Sequence, residues 1–230
     1  MLVKICGVRT PDDAQLAIEC GADIIGIILV PNRGRTVTVD TARAISAVVH
    51  GSASRRENPS PAEPLPNANH FLSKSRYIES ICTSPKLVGV FMNQPLEEIL
   101  RLQADIGLDF VQLHGSEPLE YANSIPVPTI KRFTPGSAQF EQWNRPLHSA
   151  ILIDGETGGN GQLVDWSTIN CIPESGSVFI LGGGLTPENV AQAAKQPGAF
   201  MVDVSSGVEG PDGFKDMEKV KMFVKNAKGC

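Results

Sequence analysis

The sequence predicts an α/β protein folded as a single (β/α)8 barrel of the TIM type, and three observations predict it. Short apolar runs of strand length alternate with helix-like stretches along nearly the whole chain, about eight of each, the pattern of a parallel sheet with outer helical crossovers. Runs such as Asp23–Val30 are almost continuously apolar and rich in β-branched residues, as strands buried on both faces are. The last two units end in glycines and hydroxyls, Leu181-Gly182-Gly183-Gly184 and Val204-Ser205-Ser206-Gly207. A strand running into a glycine-rich turn leaves backbone N–H groups free to cradle an anion. Two such turns in succession near the C-terminus match the phosphate site that barrels build after strands 7 and 8. No lysine follows either turn in the manner of G-x-x-x-x-G-K-[ST], so a nucleotide-hydrolysing P-loop is not expected.

Leu2–Cys6 is the first strand, stopped by Gly7. Thr10-Pro11-Asp12-Asp13 then supplies an N-cap, a proline suited to the first helical position and acids for the first turn, opening a helix over Ala14–Cys20. Asp23–Val30 is the second strand, Pro31–Thr36 a loop and Asp40–Val49 the second helix. Over 51–80 the alternation breaks. The part up to Asn69 is rich in Ser, Pro, Asn, Arg and Glu, with Pro59, Pro61, Pro64 and Pro66 and no apolar period. Such composition reads as a mobile, low-complexity insertion, with some helix returning over His70–Cys82. It follows a helix and precedes a strand, so it belongs on the barrel face opposite the C-terminal strand ends.

Alternation resumes with strand Leu87–Phe91 and helix Leu96–Ile106, then strand Phe110–Leu113 and helix Pro118–Ser124. Strand Thr129–Phe133 leads to a weaker helix over Ala138–Trp143, and strand Ala150–Asp154 to a glycine-rich loop and a helix over Trp166–Asn170. The two phosphate-type units follow, with Thr186-Pro187-Glu188-Asn189 opening the helix between them. An amphipathic helix over Phe214–Ala227 closes the chain, so residues 1–230 read as one domain.

A chain of 230 residues is ample for one such core. Charged residues make up 20% and the net charge is −5, which offers no nucleic-acid surface. The five cysteines, Cys6, Cys20, Cys82, Cys171 and Cys230, are odd in number, scattered and without a C-x-x-C pair, so neither a disulfide framework nor a structural zinc site is expected. A reducing compartment fits them best. Met1 leads directly into a strand, without the basic and apolar regions of a signal peptide, and no apolar run approaches the ~20 residues that span a bilayer. Cys230 does not sit in a C-a-a-X box. The expectation is a cytoplasmic protein, a monomer or weak homodimer, with no membrane or nucleic-acid partner.

In a barrel, side chains alternate between interior and helix layer, and functional groups lie at C-terminal strand ends. In strand 1, Val3 and Ile5 belong against helices, which turns Lys4 and Cys6 inward with Cys6 at the top. In strand 6, Ile151 and Ile153 face outward and leave Asp154 inward. In strand 4, Val111 and Leu113 go outward, Gln112 and His114 inward. A thiol, a carboxylate and an imidazole therefore converge on one mouth beside a phosphate site. Free cysteine is ordinarily a small buried hydrophobe. Cys6, at a strand end beside an inward lysine, is instead a candidate for a reactive thiol, since Lys4 would favour the thiolate, the form able to accept a proton. Asp154 could be a turn acid, but it closes an apolar run and precedes Gly155-Glu156-Thr157-Gly158-Gly159-Asn160-Gly161, which suggests a catalytic acid under a mobile lid. His114 either touches substrate or is a satisfied inner residue, and Asp203 points inward to bind or to order the site. Of Arg33 and Arg35, on the loop after strand 2, one reads as an anion clamp.

Taken together these residues resemble the phosphoribosylanthranilate isomerases of tryptophan biosynthesis. The matching segments are KICG at Lys4–Gly7, PNRGRTV at Pro31–Val37, GVF at Gly89–Phe91, VQLHG at Val111–Gly115, the LIDG…GG-x-G…DW run from Leu152 to Trp166, GGGLTPENV at Gly182–Val190 and VDVSSGVEG at Val202–Gly210. The likeness spans nearly the full chain apart from 50–80. Asn160 stands where the family's loop usually has Thr, and Gly182-Gly183-Gly184 replaces the commoner Ala-Gly-Gly. The resemblance implies an Amadori rearrangement of N-(5′-phosphoribosyl)anthranilate to a 1-deoxyribulose 5-phosphate product, without metal or cofactor. It also implies Cys6 as general base, Asp154 as general acid, and Arg35 as the residue holding the anthranilate carboxylate. From the residues themselves, His114 and Asp203 are substrate-binding candidates, Gly183, Gly184, Ser205 and Ser206 phosphate-binding candidates, and Gly158, Gly159, Asn160 and Gly161 the lid loop.

Two related barrels fit less well. An indole-3-glycerol phosphate synthase would be expected to carry lysine and glutamate as its main catalytic pair. A histidine-pathway isomerase would carry paired aspartates at strands 1 and 5, whereas here strand 1 ends in Cys6 and strand 5 carries Lys131 and Arg132. A different class, a non-catalytic phosphate- or nucleotide-binding module with Cys6 as a redox sensor, predicts no isomerisation and binding altered by thiol oxidation.

Overall fold

The computed structural model describes residues 1–53, 71–138, 140–142, 147–155, 165–169, 172 and 178–229. Eight parallel strands close in sequence order: β1 Leu2–Cys6, β2 Ile24–Ile28, β3 Lys86–Phe91, β4 Phe110–Leu113, β5 Thr129–Phe133, β6 Ala150–Ile153, β7 Phe179–Leu181 and β8 Ala199–Val204. Closure runs through β8 and β1, which pair from Leu2 with Met201 to Ile5 with Val204.

Alternation along the strands sorts the core into two layers. Val3, Ile5, Ile25, Ile27, Val111, Leu113, Ile151 and Ile153 pack outward, against helix residues such as Ala14, Ile45, Ile99 and Phe223. Ile24, Val88, Phe110, Ile130, Leu152, Ile180 and Met201 fill the barrel. Both strand faces are thus dry, which is why the strand segments read as apolar runs.

The first half of the barrel carries full helices: α1 Pro11–Glu19, α2 Val39–Ala53 and α4 Leu96–Ile106. Thr10 caps α1, its Oγ1 accepting the Asp13 N–H at 3.1 Å, and α4 ends at Gly107 with φ 75°, a left-handed turn suited to glycine. The stretch 51–80 is heterogeneous. Residues 51–53 complete α2, and Phe71–Ile81 form α3. Ile78 of α3 is fully buried in the inner cluster beside Ile24, Phe110 and Ala150, each the first residue of its strand. α3 therefore closes the floor of the barrel, the end away from the C-terminal strand ends. The remaining part, 54–70, lies outside the described residues.

In the second half the expected helices shorten. Pro118–Ser124 is a single 3-10 helix over Leu119–Asn123; of Trp166–Asn170, Trp166–Ile169 form a 3-10 helix and residue 170 lies outside the described residues. Ala138–Trp143 has only Phe140–Gln142 in 3-10 form among its described residues, and the helix expected from Thr186 covers only Val190–Ala193. Pro126 and Pro197 lie a few residues past two of these segments, and a residue preceding proline is pushed out of the α region. The C-terminal helix is Met217–Lys228, capped by Asp216, whose carboxylate accepts the Lys219 N–H at 2.9 Å. Phe214, expected inside it, lies under the Arg9 guanidinium at 3.9 Å. No helix among the described residues is long and apolar enough to cross a membrane.

Candidate active site

A cleft of about 480 Å³ opens at the C-terminal strand ends, and Cys6, Arg35, His114, Asp154, Asp203, Gly183, Gly184, Ser205 and Ser206 all line it. The inward side chains of β1 start the site. Lys4 is fully buried and lies level with Asp203 in the β1–β8 register, its Nζ 2.8 Å from Asp203 Oδ1. Burial alone would lower the Lys4 ammonium, but Asp203 and Cys6 raise it above its usual value. One turn of the pleat higher, burial pushes the Cys6 thiol up, and Lys4 opposes this only in part while Asp203 adds to it. The pull of Lys4 towards thiolate is present as expected, and burial outweighs it.

Asp154 stands at the top of β6, with Oδ1 accepting the Gly155 N–H at 2.8 Å. Burial, then Asp203, raises its pKa to about 6, against the downward pull of Arg132, the Gly155 N–H and Lys4. His114 Nε2 lies 3.7 Å from Asp154 Oδ2. Gln112 Nε2 meets His114 Nδ1 at 3.0 Å; with the amide as donor, Nδ1 accepts and the ring proton sits on Nε2. Burial, with Arg132, Lys4 and Lys131 nearby, lowers the imidazole to about 3, so the contact with Asp154 is a neutral N–H facing a carboxyl.

Arg132, inward on β5, was not singled out from the sequence, although alternation with Ile130 was a usable signal. It lines the cleft and donates to the Gly155 carbonyl. Lys131 turns the other way into a buried ion pair with Glu117 at 2.7 Å, also donating to the Gly115 carbonyl at 2.6 Å. Glu117 accepts from Asn93 N at 2.8 Å and Gly115 N at 3.0 Å, which stitches down the loop following His114.

Both candidate arginines reach the cleft. Arg33 Nη2 rests 3.6 Å from Met92 Sδ. Arg35 lies across Gly7, whose missing Cβ would fall 2.8 Å from Arg35 Cδ and 2.9 Å from Ser205 Oγ. Its guanidinium is gripped by Glu209, which lies inside the VDVSSGVEG segment but was assigned no role from the sequence, at 2.6 and 2.9 Å.

The rim after β7 and β8 is mostly backbone. Gly183 and Gly184 have φ of 79° and 68°, open to glycine at little cost. A Cβ on Gly207 would fall 1.9 Å from the Leu185 carbonyl oxygen, so the two loops meet at a contact only glycine permits. Asn189 braces the first loop, accepting from Thr186 N at 2.8 Å and donating to the Gly184 carbonyl at 3.0 Å. Ser205 Oγ is buried with no partner among the described residues, a polar atom suited to a ligand oxygen. Gly158, Gly159, Asn160 and Gly161 lie outside the described residues.

Comparison with known proteins decides the family. The family model described as N-(5′-phosphoribosyl)anthranilate (PRA) isomerase matches residues 43–226. The chain belongs to this family. An N-(5′-phosphoribosyl)anthranilate isomerase from Lipomyces starkeyi is 44% identical over 230 residues, covering 99% of this chain and 95% of its own. The crystal structure of phosphoribosylanthranilate isomerase from Thermotoga maritima superposes with a TM-score of 0.78 at 33% identity, covering 100% of both chains. A further phosphoribosylanthranilate isomerase structure, in complex with reduced 1-(o-carboxyphenylamino)-1-deoxyribulose 5-phosphate, has a TM-score of 0.75 at 33% identity and the same full coverage. As a phosphoribosylanthranilate isomerase the chain is an enzyme of tryptophan biosynthesis. One rim of its cleft is largely glycine backbone, and the other carries buried titratable side chains.

Proposed function

We propose that this chain carries out the Amadori rearrangement of N-(5′-phosphoribosyl)anthranilate with Asp154 as general acid and Cys6 as general base. The observation that carries the reading is the convergence of these two side chains on one cleft whose other rim is glycine backbone and the unpartnered Ser205 hydroxyl. Asp154, raised to about 6, holds a proton closer to neutrality than an ordinary aspartate. It gives that proton to the ribose ring oxygen as the C1–O bond breaks, leaving a protonated Schiff base. The iminium acidifies the C2 proton, which the Cys6 thiolate removes to form an enolamine. A proton returned to C1 and one lost from the C2 hydroxyl complete the ketone, so the sequence is a net isomerisation.

The phosphate sits on Gly183, Gly184, Ser205 and Ser206, and Arg35 holds the anthranilate carboxylate. The Gly155 N–H holds the Asp154 carboxyl while neutral His114 faces it across 3.7 Å, and Asp203 holds Lys4 beside Cys6. The glycines at 158, 159 and 161 with Asn160 serve as the lid. The same reading takes the protein as cytoplasmic, a monomer or weak homodimer, with scattered cysteines suited to a reducing compartment. Cys6→Ser and Asp154→Asn test the roles. Each is expected to fold, by circular dichroism, and to lose about 10²–10⁴ in turnover. Near-wild-type rates in either variant would defeat the assignment.

A further inference from the structure

Arg35 does not stand free at the rim. Glu209 occupies its Nε and Nη2 at 2.6 and 2.9 Å, the side edge of the guanidinium. Lys215 Nζ binds the same carboxylate, at Oε1, from 3.1 Å and donates to the Ser205 carbonyl at 3.0 Å. Lys215 is buried and fixed through its own N–H, which donates to Asp13 Oδ1 at 3.3 Å, and Lys219 Nζ holds the Glu209 carbonyl at 2.7 Å. Both the backbone and the side chain of Glu209 are therefore tied down.

A guanidinium has two edges that match a carboxylate, and only the end edge, Nη1 with the outer N–H of Nη2, remains for a ligand. Among the described residues Nη1 has no partner. An incoming carboxylate can then bind only end-on, in a plane set by Glu209. An arginine paired with one glutamate would present a neutral face to it. Lys215 changes that balance, since two cations against one anion leave the cluster positive. Its bond to the Ser205 carbonyl also fixes the span between this clamp and the proposed phosphate loop.

We propose that Glu209, held by Lys215, is a positioning residue that sets Arg35 end-on and so determines selection for substrates carrying a carboxylate on the aromatic ring. The proposal rests on the reading of Arg35 as the carboxylate residue. It is tested with three probes: reduced 1-(2-carboxyphenylamino)-1-deoxyribulose 5-phosphate, its phenylamino counterpart lacking the carboxylate, and inorganic phosphate. The affinity ratio of the first two measures carboxylate selection. Arg35→Ala is expected to abolish that ratio while inorganic phosphate affinity holds. Glu209→Gln is expected to cut the ratio by about tenfold or more, and to raise KM by a similar factor with kcat changed far less. Glu209→Asp, which keeps the charge but shortens the reach, repeats the loss and serves if the glutamine variant does not fold. A ratio retained in Arg35→Ala would remove the reading of Arg35 beneath the proposal. A ratio lost in Arg35→Ala yet unchanged or larger in both Glu209 variants would overturn the positioning role itself. So would Glu209 variants that lose inorganic phosphate in equal measure, which marks a scaffold residue.

Discussion

The rim built by β7 and β8 and the rim built by β1 and β6 face the same cleft with different materials. On the first, the cleft-facing groups are backbone at Gly183 and Gly184 and the Ser205 hydroxyl, beside the close Gly207–Leu185 contact. On the second they are the buried side chains of Cys6 and Asp154, displaced from their ordinary pKa values by burial and by Asp203. A backbone cradle does not titrate, and it is disturbed chiefly by changes that move the main chain. A buried acid and thiol do titrate, and each depends on its neighbours. Anchoring and proton transfer are thereby separable, and variants should damage one without the other.

The largest expected effect breaks the second rim alone. Cys6→Ser and Asp154→Asn should each lose about 10²–10⁴ in kcat while calorimetric titration with inorganic phosphate gives an unchanged affinity. Gly207→Ala should do the reverse. With a backbone oxygen in the way, the loops must part, and a loss of about 1–3 kcal/mol in stability is expected together with weakened phosphate binding. The shape of its pH–rate profile should stay that of wild type.

The pH profile sharpens the contrast further. With Asp154 as the acid and Cys6 as the base, as proposed, the active form needs Asp154 protonated, which holds below about 6, and Cys6 ionised, which holds only above its raised pKa. That combination is a minority at every pH. kcat/KM should therefore climb to about pH 6, run level, and fall once Cys6 ionises. In Asp154→Asn the break near 6 should vanish, with residual activity climbing until Cys6 ionises.

Stability gives a smaller effect with a definite sign. Asp154 has a folded pKa above its unfolded value, so its contribution is fully present below the unfolded pKa and lost as pH rises through about 6. At pH 7 the ionised carboxylate is a burden of about 1–3 kcal/mol, and Asp154→Asn should raise Tm there but not at pH 4. The smallest effect belongs to the far end of the molecule. Replacing Ser54–Asn69 by a short Gly-Ser linker should leave kcat and KM within about twofold, since α3 closes the floor away from the cleft.

The sequence showed the strands well because both of their faces are buried, and strict alternation then placed Lys4, Cys6, Gln112, His114 and Asp154 inside without any knowledge of register. It overstated helices of the second half, where apolar spacing suggested longer helix than the 3-10 helix over Leu119–Asn123 and the single turn over Val190–Ala193. It missed the partner of Arg35 because Glu209 is 174 positions away and arrives only when the barrel closes. The Asp203 that pairs with the Lys4 ammonium is likewise remote, 199 positions off.

The central claim is that a thiol and a carboxyl group move protons on a substrate anchored elsewhere. Its most direct test saturates Cys6→Ser with N-(5′-phosphoribosyl)anthranilate and follows the fluorescence of the bound substrate. The account predicts that substrate binds and then persists at least about a hundredfold longer than on wild type. Decay at the wild-type rate would contradict it.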